Sequence, residues 1–489
     1  MVQAVVKFLK GKAGYCCREG RWRETVIFFA VPLLAGLFTI MKVFFNPHCR
    51  AFDSNDDVLH TFPQLFYAQE AMRSGQLPLM GLFNNFGSPL TGDALTYPFS
   101  LQALIYWFIP FEYGMAVARF LTAFLSVLLL TVFFRRWMSR TSASLCALLS
   151  FFAPHFIWYT ATHHYQLTLA GLAALLICHD RWVSLRRAVD LVVLWGMFVL
   201  LFLSVSMNLA VFVSFFLIIY HFIVTGFRWQ RSSTGFFLAL AGGVAFVLPD
   251  LIYMFQSGLL SVRIGRAYPH VSPIQHVFWT PVALSLIGIA ALVKRAEWRP
   301  ALAVVLLGLC PTALVFLLIH FQQIWHAIPV LRNSDVSRFI WIATPFVMLG
   351  MGVCLDFVRQ GSRAARAVVF LGLFFFLVEL CFFPVYYNFA LYRFRPMRWV
   401  WGLVILNVMG LVLFWTEGWF KAAWFRLFAW LLALAVLFLE LHFAVFMVFG
   451  YFDMKTCRPD VIYYSDAGAD RFHPRQLVGQ FGQPGRLAG

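Results

Sequence analysis

Three carboxylates, Asp53, Asp56 and Asp57, fall within five positions of a chain in which only 12% of the residues are charged. They stand in the stretch FDSNDDVLHTFPQLFYAQEAMRSGQLPL, from Phe52, just past the first long apolar run. A carboxylate held within hydrogen-bond reach of an attacking hydroxyl can take its proton, which is general-base work. Aspartate in a turn also caps and solvates the backbone, so Asp53 and Asp57 have a local reading beside the chemical one, as do Asp93 and Asp335. His163 and His164, in WYTATHHYQ, open the outer edge of a predicted span and could orient an acceptor or contact a phosphate. Arg263 and Arg266, and further on Arg393, Arg395 and Arg398, occupy turns where basic residues are out of place: either a span is miscounted there, or they face outward because they bind an anion.

Out of place is defined by the elements around them. Hydrophobic residues make up 61% of the 489, and the mean hydropathy is +0.78. A water-soluble fold cannot hide that much apolar surface, whereas apolar runs near 20 residues match the hydrocarbon thickness of a bilayer. The chain therefore reads as an all-α polytopic membrane protein. Spans are predicted at 26–45, 115–134, 143–159, 165–179, 188–206, 208–225, 235–255, 277–293, 302–320, 339–358, 367–386, 400–415 and 427–450, about 13 in all at the usual length per crossing. The first run is too long and too aromatic for a cleaved signal, and no small-residue cleavage site follows it.

The formal net charge of +17 invites a nucleic-acid reading. The cations recur in alternate short loops, however, which is the pattern of cytoplasmic loops, so no nucleic-acid partner is expected. Lys7 to Arg23, the loops around Arg135, Arg181, Arg228 and Lys294, and the run from Arg359 all fall on one side. This orientation gives a basic cytoplasmic N-terminus (1–25), a transmembrane domain (26–450) with a long first outer loop (46–113), and an outer tail (451–489). Within that loop, Gln64 to Ser74 carries apolar residues at helical spacing. The segment PFSLQALIYWFIP is too short to cross comfortably and reads as re-entrant or lying on the surface. Cys49 and Cys457 are the cysteines placed on the oxidising side. Glu379 and Glu440 lie inside predicted spans, where ionisable groups are costly.

The loop also has a motif order: Asp56 seven residues before Pro63, then Gly75–Pro78–Leu79, Gly87–Ser88–Pro89–Leu90, and Tyr97–Pro98. In this it resembles the YfhO-like multispan proteins of the GT-C glycosyltransferase superfamily. It departs from them at Met80–Gly81, where relatives carry a Trp-Asn pair. The later stretch LRNSDVSRFIWIATPFVMLGMG is similar to the family's Arg-rich turn before a late span. The resemblance implies a GT-C-like bundle with short helices on its first outer loop, in the inner (plasma) membrane. It also implies sugar transfer on the outer face, from a polyprenyl-phosphate donor to a cell-envelope glycan, lipid or polymer. In that setting Asp56 or Asp57 is the base, and Arg332 and Arg338, then Arg263 and Arg266, meet the donor phosphate. His60, Asp93, His163, His164 and Asp335 are the candidate substrate contacts.

No spacing demands a metal, although the loop carboxylates could hold Mg²⁺ or Mn²⁺. Two other classes compete. A flippase or transporter for lipid-linked sugars would show internal repeats and broken helices, and the sequence shows no repeat. A membrane acyltransferase would use His163 or His164.

Overall fold

The computed structural model describes residues 21–45, 62–76, 80–81, 88–89, 100–109, 111–151, 163–205, 207–249, 252, 279–320 and 338–359. They form helices α1 (Arg21–Phe45), α2 (Phe62–Arg73), α3 (Leu101–Phe108), α4 (Phe111–Phe134), α5 (Arg140–Phe151), α6 (His163–Leu185), α7 (Ala188–Ser204), α8 (Met207–Thr225), α9 (Arg231–Phe246), α10 (Trp279–Lys294), α11 (Trp298–Ala303), α12 (Cys310–His320) and α13 (Arg338–Arg359). A π-helical stretch (Val304–Leu309) joins α11 to α12. Two residues on each side, Met80–Gly81 and Ser88–Pro89, pair antiparallel.

Among the described residues, Ala116–Phe134, Leu167–Leu185, Trp298–Val315 and Phe339–Phe357 are long and apolar enough to cross a bilayer. Thr25–Leu37, Ala188–Ser204, Leu209–Thr225 and Pro281–Lys294 are shorter apolar helices. The predicted spans from 367 onward, with Glu379, Glu440 and both Cys49 and Cys457, lie outside the described residues.

Small residues set how closely the helices approach, as expected where lipid offers no hydrophobic drive for association. A Cβ on Gly36 of α1 would stand 2.8 Å from the Phe120 ring of α4. On α10, a Cβ on Gly288 would stand 2.8 Å from the carbonyl carbon of Gly350 in α13 and press against its oxygen. A Cβ on Gly235 of α9 would meet the indole of Trp182, whose Nε1–H donates to the Ser232 carbonyl at 2.8 Å. The core runs through these contacts, from Ala35 on α1 through Phe133, Leu172, Phe198 and Phe216 to Trp341 on α13.

Some helix boundaries differ from the sequence expectation. α6 continues to Leu185, six residues past His179. α9 stops at Phe246, where Val247 leaves helical geometry at φ −96°, ψ 6° and its N–H reaches the Gly243 carbonyl. The π-helical stretch was not foreseen. It precedes Pro311, which lacks an N–H and would crowd the carbonyl four residues back, and the widened turn absorbs that defect. There the Cys310 N–H reaches the Val305 carbonyl, and Thr312 Oγ1 donates to the Gly308 carbonyl at 2.8 Å.

Candidate functional site

The first loop supplies one end of the bundle, called here the loop end. Its helix α2 finishes in a Schellman motif: the Gly75 N–H donates to the Met72 carbonyl at 3.1 Å and the Gln76 N–H to that of Ala71 at 2.8 Å. The motif needs a left-handed residue after the helix, and Gly75 adopts φ +76° there. Gly75 is thus a stop signal. Ser100 caps α3, its Oγ accepting from the Ala103 N–H at 3.1 Å. The Leu101 N–H then donates to Ser204 Oγ at the end of α7, 3.1 Å away, which pins α3 across the bundle. Gln69 of α2 donates to the Ile109 carbonyl at 3.1 Å, tying α2 to the end of α3. Met80–Gly81, the dipeptide that departs from the resembled family, is the partner strand of Ser88–Pro89 from the GSPL motif.

Beneath α2 and α3 the bundle is polar. Gln69 (1% exposed), Gln102 (5%), Arg119 (4%), Thr122 (2%) and Ser126 (0%) are all buried. Gln102 of α3 donates to Thr122 Oγ1 of α4 at 3.4 Å. Ser126 Oγ has no hydrogen-bond partner among the described residues, and neither does Thr168 Oγ1 on α6.

The opposite end, here the basic end, holds a second network. Arg136, just past α4, pairs with Asp180 of α6. Asp180 also accepts from Tyr220 Oη of α8 at 3.0 Å and faces His179 Nδ1 at 3.1 Å. His179 Nε2 and His221 Nδ1 are 2.8 Å apart, and His221 Nε2 and Ser233 Oγ of α9 are also 2.8 Å apart. Four helix ends meet through six polar side chains. Burial pulls the Arg136 guanidinium below its ordinary pKa, with Tyr220 acting in the other direction. Nearby, Asp356 near the C-terminus of α13 accepts from the Ser139 N–H, from Ser139 Oγ at 2.8 Å and from Ser142 Oγ at 2.6 Å, capping the start of α5. Arg181 pairs with Asp190. Arg295 lies over the Phe357 ring, next to Asp356, so the turns around Arg135, Arg181, Arg228 and Lys294 lie at one end.

This arrangement locates the candidate residues that belong to described helices. α6 and α13 both finish at the basic end, so their first residues stand about 25 Å away, at the loop end. His163 and His164 open α6, and Arg338 opens α13. Asp56, Asp57, His60, Asp93, Arg263, Arg266, Arg332 and Asp335 lie outside the described residues. Among the described residues no group of three or more His, Cys, Asp or Glu is placed to hold a metal ion.

Sequence reasoning passed over Arg119, the His179–His221 pair and Asp356. Each carried a signal: Arg119 interrupts the apolar run AVARFLTAF, and His179, Asp180 and Asp356 are polar or acidic residues in helices otherwise apolar there.

In overall structure the chain is similar to ArnT from Cupriavidus metallidurans bound to undecaprenyl phosphate, with a TM-score of 0.56 and 13% identity, over 88% of this chain and 77% of that one. It is likewise similar to the apo state of the same protein, with a TM-score of 0.51, 13% identity and the same coverage. No family model and no curated protein matches the sequence. The likeness is one of fold: the chain is an all-α, polytopic membrane protein with an ArnT-like bundle.

Proposed function

We propose that the chain is a GT-C-type membrane glycosyltransferase. It moves a hexose or pentose from a polyprenyl-phosphate donor to a cell-envelope glycan, lipid or polymer. The narrower kinship is with the YfhO-like proteins. The loop end faces the outside of the inner membrane, and the basic N-terminus lies in the cytoplasm. The observation that carries the reading is the fold shared, over 88% of this chain, with a protein whose structure holds undecaprenyl phosphate. The motif order of the first loop supports it.

In the reaction, the acceptor hydroxyl oxygen attacks the anomeric carbon. The bond from that carbon to the phosphate oxygen breaks, and its electron pair leaves with polyprenyl phosphate. The hydroxyl proton passes to Asp56 or Asp57. Arg332 and Arg338, or after them Arg263 and Arg266, meet the phosphate charge as it grows, which a guanidinium fork does bidentately. His60, Asp93, His163, His164 and Asp335 are left to hold sugar and acceptor. Any Mg²⁺ or Mn²⁺ would be held by the loop carboxylates.

The test is to incubate the purified protein with a panel of polyprenyl-phosphate-linked hexoses and pentoses and to follow release of polyprenyl phosphate. Turnover with at least one donor is expected, falling by about 10²-fold or more in Asp56→Asn or Asp57→Asn, whichever is the base. Full activity in both variants would remove this loop from the chemistry. Inert donors that are instead carried across a vesicle membrane would make the protein a transporter.

A further inference from the structure

We propose that the basic end carries a binding site for an anionic phospholipid, where the turns that follow α6, α8 and α10 converge. Arginines of those turns hold the phosphodiester headgroup, and the acyl chains lie against α7 and α9 beneath it. This goes beyond the glycosyltransferase reading and does not depend on it.

Contacts join the three turns. Arg186, just past α6, donates from Nη2 to Gln230 Oε1 in the α8–α9 turn at 3.2 Å. From the other side Arg299, at the start of α11, reaches the same turn: its Nη2 would stand 3.8 Å from a Cβ placed on Gly226. Five arginines are gathered in this way, Arg186, Arg187, Arg228, Arg231 and Arg299, and all are exposed. None of the five has an ion-pair partner among the described residues, whereas Arg181 is matched by Asp190 and Arg136 by Asp180. The exposed carboxylate in these turns is Glu297, so five positive charges face one negative. The positive-inside pattern accounts for cations in each turn taken singly. It does not require three turns to meet and leave their cations unmatched.

The surroundings of the cations say which anion they fit. Arg231 heads an exposed stripe of α9 that continues through Thr234, Leu238, Ala241 and Ala245 at helical spacing. Arg187 directly precedes α7, on which Val189, Val192 and Val193 are exposed. α7 and α9 are neighbours, since a Cβ on Gly243 would stand 2.7 Å from Phe198 Cβ. In a membrane protein such apolar faces meet hydrocarbon, so the arginines sit at the top of a surface made for acyl chains. Exposed tryptophan marks the headgroup level, and two stand here, Trp229 and Trp298. Trp229 stacks parallel on Phe237 with ring centres 5.3 Å apart, and its Nε1–H donates to Thr234 Oγ1 at 3.3 Å. Arg299 lies over the Trp298 ring, 5.5 Å from its centre. A soluble acidic partner would use the charges and leave the apolar faces idle, whereas a lipid with a negative headgroup uses both. Basic pockets between membrane helices bind anionic headgroups in this manner.

The test uses the full-length protein in detergent, stripped of lipid, with thermal stabilisation read as binding. The probes are phosphatidylglycerol, zwitterionic phosphatidylcholine with the same chains, and glycerophosphoglycerol, the water-soluble headgroup without chains. Wild type should bind phosphatidylglycerol at least tenfold more tightly than either of the others. Each cation near an anionic headgroup layer is worth about fivefold in binding, so R228Q/R231Q/R299Q should lose at least tenfold for phosphatidylglycerol. Its affinity for phosphatidylcholine and its melting without lipid should match wild type, because the three side chains are exposed. A triple variant that keeps the full preference for phosphatidylglycerol overturns the proposal, and so does a wild type that binds the two lipids equally. If glycerophosphoglycerol binds as tightly as the lipid, the arginines serve a soluble anion and the lipid assignment is overturned. Should the triple variant not fold, phosphatidylglycerol with a photoreactive headgroup gives the answer in wild type. Adducts within 186–187, 226–231 or 295–299 support the proposal, and adducts confined to other segments overturn it.

Discussion

Alanine in place of Gly288 adds one methyl group to α10, and α13 stands where that methyl must go. The new Cβ would be 2.8 Å from the Gly350 carbonyl carbon and 3.3 Å from the Cys354 nitrogen. Ordinary carbon–carbon contact begins near about 3.5 Å, so the helices must part by more than roughly 0.7 Å at that point, since the Gly350 oxygen stands nearer still. The approach is just as close one turn earlier on α10, where a Cβ added to Gly350 would stand 2.6 Å from Ser285 Cβ. Overpacking of this kind costs about 1–3 kcal/mol, against a gain of about 1 kcal/mol from replacing glycine within a helix. Gly196, in α7, separates the two effects: nothing lies within 4 Å of its added Cβ, so Gly196→Ala keeps the gain alone. Thermal melts of the purified protein in one detergent at one scan rate should place Gly288→Ala below wild type. Gly196→Ala should lie at or above wild type, with about 1–3 kcal/mol between the variants. Equal melting of the two variants would refute the claim that the α10–α13 contact is set by backbone approach.

Other expectations follow from single contacts. Asp356→Ala leaves the start of α5 uncapped and two serines without their acceptor, and should cost about 1–3 kcal/mol in a chemical or thermal melt. Tyr220→Phe removes one donor from Asp180 and should cost about 1 kcal/mol. The activity of that variant should survive, because the basic end is about 25 Å from the loop end. Gly75→Ala forces a Cβ into left-handed backbone and should weaken the end of α2 by about 1 kcal/mol, read as faster amide exchange in 62–76. Ser88→Cys should react with an impermeant maleimide added from outside intact cells. Reaction only after the cytoplasmic side is opened would reverse the orientation and remove the outer-face mechanism.

How far the sequence could be read depends on the range of the interaction. α4 and α13 were legible because an apolar run of span length needs only its neighbours along the chain to announce itself. So was α2, from Leu65, Phe66, Gln69 and Met72 at helical spacing. The C-terminal half of α6 was misjudged for an instructive reason: His179, Asp180 and Arg181 look like a helix leaving the membrane. Within the fold, His179 and Asp180 are satisfied by His221, Tyr220 and Arg136, residues 42, 40 and 44 positions away, so the helix goes on. A one-dimensional reading sees the polar residue and cannot see its partner. Arg119 escaped for the same reason, since a single cation in an apolar run gives no hint of which way it faces. Of the candidate site, the motif glycine Gly75 has a structural account. Asp56, Asp57 and most of the arginines lie outside the described residues, and their roles rest on motif and chemistry.

The basic-end network also has a history, because the chain enters a membrane from its N-terminus. Arg136 emerges first, Asp180 follows 44 residues later, Tyr220 and His221 some 40 after that, and Ser233 last. Until α8 and α9 arrive, His179 and Asp180 are polar groups at the end of a helix with only Arg136 to answer them. The insertion of α6 to its full length therefore depends on segments not yet synthesised when it first reaches the bilayer. Nascent chains arrested after α6 should hold that helix shallower than chains arrested after α9, a difference that glycosylation-distance mapping can measure.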